Sequence, residues 1–110
     1  MTTVTFFYEN GIIVRVRAAG HSGFAEHGSD VVCAATSALV QTAYLAINDL
    51  GAETEFVRDG KKGLFEFAVG AACDKRHDVD VILRALLVGL EDLRSGYPQY
   101  VSTKIEAMEV

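Results

Sequence analysis

Proline occurs once in 110 residues, cysteine twice and histidine three times. So little proline excludes a linker-rich or polyproline character. No uninterrupted apolar run approaches the roughly 18 residues of a membrane span, so none is expected. The opening MTTVTFFYENG lacks the basic and apolar regions of a signal peptide, and the expected address is cytoplasmic. One disulfide between Cys33 and Cys73 would be unusual in a reducing compartment. Lysine and arginine number 10 against 15 acidic residues, a net charge of −5, which argues against nucleic acid as a partner. The short basic pairs Arg15/Arg17, Lys61/Lys62 and Lys75/Arg76 have no aromatics interleaved with them and read as solvated faces and turns.

What is present is apolar. Half of the residues are hydrophobic, enough for one core, and the length predicts a single domain over residues 1–110. Thr3 to Tyr8 alternates, with Val4, Phe6 and Tyr8 on one side. Glu9-Asn10-Gly11 follows, and Asn-Gly is a strong hairpin signal because both residues tolerate positive φ. Ile12 to Ala18 continues the alternation, with Ile12, Val14 and Val16 opposite Arg15 and Arg17. Ala19 to Ser29 has no periodicity and reads as a mobile loop.

From Asp30 the apolar spacing becomes three and four, through Val32, Leu39, Ala43, Ala46, Ile47 and Leu50. This predicts a helix capped by Ser29 or Asp30 and ended by Gly51. Thr54 to Arg58 and Leu64 to Val69 predict a second hairpin around Asp59-Gly60-Lys61-Lys62-Gly63. A second helix, capped by Asp78 or Asp80, carries Ile82, Leu83, Leu86, Leu90 and Leu93 and stops at Gly96, with Pro98 beyond. Tyr100 to Glu106 gives a last strand. The expectation is an α+β sandwich: a mostly antiparallel sheet of about five strands, order ββαββαβ, with two helices packed on it.

Chemistry concentrates in GHSGFAEHGSDVVCAATS, residues 20–37, which holds His21, His27, Asp30, Cys33 and Ser37. With Asp30 as cap, Cys33 falls in the first helical turn, where unpaired N–H groups and the helix dipole favour negative charge. The placement suits a thiolate nucleophile, and the same N–H groups could bind an oxyanion. A thiolate needs an imidazole partner. His21, at the end of a strand, is better fixed than His27 inside the loop, and Gly20, Gly23 and Gly28 would let that loop move. Plainer roles explain the same residues: a buried cysteine, a structural histidine, a capping aspartate, and a Ser37 hydroxyl bonded to the carbonyl four residues back. A metal would draw on His21, His27, Cys33 and Asp30 or Cys73. That spacing matches no paired ligand pattern, so neither metal nor cofactor is expected.

The run Gly20-His21, a short glycine-containing loop, then Gly28-x-Asp30-x-Val32-Cys33-Ala34-Ala35-x-Ser37 resembles the signature of the ribosomal-processing cysteine protease family. The likeness extends over the whole chain. His27 stands where the family often has an aromatic, and Ser22 where it often has alanine. The resemblance implies a cytoplasmic cysteine endopeptidase, usually a homodimer. Its substrate would be a precursor of a large-subunit bacterial ribosomal protein, number twenty-seven, cut after an aromatic pair to remove an N-terminal extension. It further implies Cys33 as nucleophile and His21 as base, with Asp30 and Ser37 in supporting positions. The competing reading is a ribosome-associated binding or assembly factor without catalysis.

Overall fold

The structure is a computed structural model and describes residues 1–21, 23–26 and 30–108. The order is β1 (Thr2–Glu9), β2 (Ile12–Ala19), α1 (Val31–Asp49), β3 (Thr54–Asp59), β4 (Leu64–Val69), α2 (Arg76–Gly96) and β5 (Val101–Ala107). The strands form one sheet in the order β3-β4-β2-β1-β5. All neighbours are antiparallel except β1 and β5, which run parallel. The expected α+β architecture and its order of elements are therefore present.

The first turn follows from its two residues. Asn10 and Gly11 both have positive φ, 54° and 78°, which matches the right-handed twist of the flanking strands. Beyond the turn the register shifts once, so that Tyr8 faces Ile13 and Phe7 faces Arg15. Val14 is thus the extra residue of a bulge, and the expected grouping of Ile12 and Val14 with Val16 is corrected. Ile13, not Val14, packs against the core on that strand.

Alternation puts Val4, Phe6, Val16, Ala18, Phe65, Phe67 and Val69 on one sheet face, all buried. Val40, Ala43 and Ile47 of α1 and Val79, Leu83, Leu86 and Leu90 of α2 complete the same core. Fully burying one such side chain contributes about 1.5–3 kcal/mol, so this cluster dominates the stability of the sandwich. The helices touch where Gly89 meets Leu39: a Cβ on Gly89 would lie 3.2 Å from Leu39 Cδ2. By length and composition alone α1 could cross a bilayer, with a mean hydropathy of 1.4 over an 18-residue window. Its Val32, Thr36, Val40, Ala43 and Ile47 are nonetheless buried in the protein, as in a core helix. On the opposite sheet face Glu66 joins β4 to β2, accepting from Arg15 at 2.9 Å and Arg17 at 2.6 Å.

The second helix starts earlier than its acidic residues suggest. It begins at Arg76 without a side-chain cap, and Asp78 lies in its first turn. Arg76 explains the difference. Its guanidinium donates to the Ile13 carbonyl beside the bulge and pairs with Asp80 at 2.7 Å, so the first turn is held by docking onto β2.

Candidate active site

Asp30 organises the loop–helix junction. It is 7% exposed, adopts the extended backbone of an N-cap, and its Oδ1 accepts from Val32 N and Cys33 N, both at 3.0 Å. Oδ2 faces the other way and accepts from Phe24 N at 3.1 Å and Ala25 N at 3.3 Å. One buried carboxylate therefore joins the first turn of α1 to the loop before it. Bonds to an ionised acceptor are roughly twice as strong as neutral ones, which suits a group this deeply buried.

That arrangement corrects the expectation about an oxyanion. The amides of Val32 and Cys33 are occupied by Asp30 Oδ1, and Ala34 N bonds Asp30 O at 3.0 Å. Three donors of the first turn are thus engaged by Asp30, and its negative charge offsets the positive end of the helix dipole beside Cys33.

Cys33, His21, Asp30 and Ser37 all line one cavity of about 330 Å³, together with Gly20. Cys33 is half-buried, and His21 and Ser37 are exposed. Cys33, Ser37 and Gln41 recur every four residues, so they form a single stripe of α1 along the cavity. Arg58 of β3 and the turn residues Gly60 and Gly63 also line it. The Arg58 guanidinium lies 5.3 Å from the centre of the Phe65 ring and has no carboxylate partner among the described residues. The back-bond expected of Ser37 is made by Thr36 instead, whose hydroxyl donates to Val32 O at 2.9 Å. Side-chain donors on the cavity wall outside the helix cap include those of Ser37, Gln41 and Arg58.

The loop is tied down where it can be described. Phe24 packs edge-on against Tyr97, with ring centres 5.5 Å apart, and against Tyr100 at 5.3 Å. This clamp joins the loop to the end of α2 and the start of β5. Gly20, expected to confer mobility, is a close-packed position: its φ is +93°, and a Cβ there would lie 2.5 Å from Met1 O. Gly23 has φ +77° and open space around it. Gly28 and His27 lie outside the described residues. The described residues bring no three His, Cys, Asp or Glu side chains together as a metal site. Cys73, like Cys33, is in no disulfide among the described residues, but it lines a different cavity, with Asn48, Gly51 and Gly70.

The sequence reading missed Phe24, Gln41, Arg58 and Gly63. Gln41 continues the four-residue spacing from Cys33 and Ser37, a signal that was available. Arg58 and Gly63 reach the cavity from β3 and the β3–β4 turn, remote in sequence from Cys33.

Comparison with known proteins bears on the family and the fold. The family model described as cysteine protease Prp matches residues 1–102. The ribosomal processing cysteine protease Prp of Bacillus subtilis is 30% identical over 98 residues, which cover 86% of this chain and 87% of that protein. Among solved structures, the essential ribosomal processing protease Prp of S. aureus, in complex with a covalently linked product peptide, superposes with a TM-score of 0.83. It is 25% identical, and the match covers 96% of this chain and 99% of that one. A Streptococcus mutans protein superposes with a TM-score of 0.80 at 29% identity, over 98% of this chain and 96% of its own. The chain belongs to the cysteine protease Prp family. Its class is that of the cysteine-type peptidases.

Proposed function

We propose that this chain is the endopeptidase that removes the N-terminal extension of a bacterial large-subunit ribosomal protein, protein twenty-seven, cutting after an aromatic pair. The observation that carries this reading is the joint lining of one cavity by His21, Asp30, Cys33 and Ser37. The relatives named as ribosomal processing proteases supply the substrate class.

In this reading His21 takes the proton of the Cys33 thiol, and Sγ attacks the scissile carbonyl carbon. The tetrahedral intermediate collapses to a thioester, and the leaving amine, the new N-terminus of the mature protein, takes the proton from His21. His21 then removes a proton from water, which attacks the thioester and frees the extension as a carboxylate and Cys33 as a thiol. The oxyanion is met by donors from the cavity wall such as Ser37, Gln41 and Arg58, because the Val32 and Cys33 amides serve Asp30. Asp30 fixes the backbone under Cys33. The acidic balance of the enzyme favours approach by a basic ribosomal protein, and salt should weaken that effect. The enzyme acts as a homodimer.

The test is to incubate the purified protein with an extended ribosomal-protein precursor and follow its mass. Loss of the extension at one bond after an aromatic pair is expected. Binding of the precursor without any cleavage would contradict the proposal.

A further inference from the structure

The turn between β3 and β4 approaches His21 more closely than any side chain would allow. Asp59 Oδ1 accepts from Lys61 N at 3.1 Å and Lys62 N at 3.3 Å, and Gly63 N bonds Gly60 O at 3.3 Å. The turn ends on Gly63 with φ +59°. A Cβ on Gly63 would lie 2.6 Å from Gly20 O, 3.0 Å from Gly20 C and 3.0 Å from Cε1 of the His21 ring.

The Gly20–His21 peptide has little room to retreat. A Cβ on Gly20 would itself meet Met1 O at 2.5 Å, and Thr2 Oγ1 donates to Gly20 O at 3.4 Å. The start of β1, the end of β2 and the β3–β4 turn therefore converge on one peptide unit. We infer that Gly63 is a positioning residue for His21: a backbone without a side chain, brought in by the β3–β4 turn, sets where the imidazole sits. This rests on the reading of His21 as the base. It adds that the base is held from β3–β4 as well as from its own strand.

Gly63 has a backbone conformation that side chains rarely adopt, so substitution there strains the chain as well as crowding His21. Gly11 separates the two effects. Its φ is +78°, nothing lies within 4 Å of its hypothetical Cβ, and it sits in the β1–β2 turn, outside the cavity. Gly11→Ala introduces the same kind of strain without the contact. Gly63→Asn does the converse, because asparagine tolerates positive φ but still carries a Cβ.

The experiment combines imidazole ¹H–¹³C correlation spectra, with the His21 signal assigned by its loss in His21→Ala, and steady-state cleavage of the extended precursor. Gly63→Ala and Gly63→Asn should both shift the His21 Cε1–H resonance. Both should lower kcat by roughly 10- to 100-fold, as a small misplacement of a catalytic group does, with KM within about threefold. Gly11→Ala should leave the resonance and kcat unchanged. An unshifted His21 signal in folded Gly63→Ala, or an equal shift in Gly11→Ala, would overturn the inference. Should Gly63→Ala fail to fold, Gly63→Asn carries the test. If neither folds while Gly11→Ala does, Gly63 serves the fold alone and the inference is overturned. Because the spectrum needs no turnover, a wild-type protein that cleaves nothing would sink the protease reading while a shifted His21 signal still upheld the packing claim.

Discussion

Oδ1 of Asp30 accepts the backbone N–H of Cys33 at 3.0 Å, so the residue that caps α1 also fixes the backbone of the candidate nucleophile. Its second oxygen holds Phe24 N and Ala25 N. Asp30→Ala should remove the helix cap, worth about 0.5–2 kcal/mol, and release the loop at the same time. A thermal melt should fall by roughly 4–8 °C per kcal/mol lost. Hydrogen exchange at Phe24 and Ala25 should accelerate together with that at Val32 and Cys33. Acceleration confined to the helix amides would show that the carboxylate does not tie the loop.

Phe24 is the loop's apolar anchor, edge-on to both Tyr97 and Tyr100. Such ring pairs contribute about 0.5–1.5 kcal/mol each beyond area burial. Phe24→Ala should therefore increase exchange at the Phe24 and Ala25 amides while leaving the Leu83 and Leu90 amides of α2 protected. Unchanged loop exchange would place the anchor elsewhere.

His21 follows β2, and close backbone contacts confine the peptide that carries it. His21→Ala should abolish most precursor cleavage, by a factor of roughly 10² or more for a lost general base. His27→Ala should retain most of it. The reverse pattern in a side-by-side rate comparison would make His27 the base.

Arg58 has no carboxylate partner among the described residues and lines the same cavity as the Cys33-Ser37-Gln41 stripe. An extended peptide lying there would offer its carbonyl oxygens to that guanidinium. Arg58→Ala should weaken the precursor's binding or its turnover, read as a loss of about tenfold in kcat/KM, the scale of one hydrogen bond to a charged group. No loss would show that the peptide takes another path.

The parts of this arrangement that were legible in the sequence are the local ones. Asn10-Gly11 specified its turn because positive φ is a property of the two residues themselves. Asp30 announced a cap because the residues it bonds lie two and three positions ahead. The start of α2 was misplaced because Arg76 secures it through the Ile13 carbonyl, a contact between distant segments. Gly63 read as an ordinary turn glycine for the same reason, since only the folded sheet carries it to His21. A capping aspartate and a free helix N-terminus are the same sequence signal, yet the cap engages the Val32 and Cys33 amides that the free terminus would offer.

Cys33 and Cys73 line separate cavities, and they give the central claim its most direct test. The measurement is the rate at which Cys33→Ala and Cys73→Ala remove the extension from the precursor, followed by mass. Cys33→Ala should lose activity by roughly 10³-fold or more, as nucleophile removal does, while Cys73→Ala cleaves at the wild-type rate. Undiminished cleavage by Cys33→Ala would contradict the account.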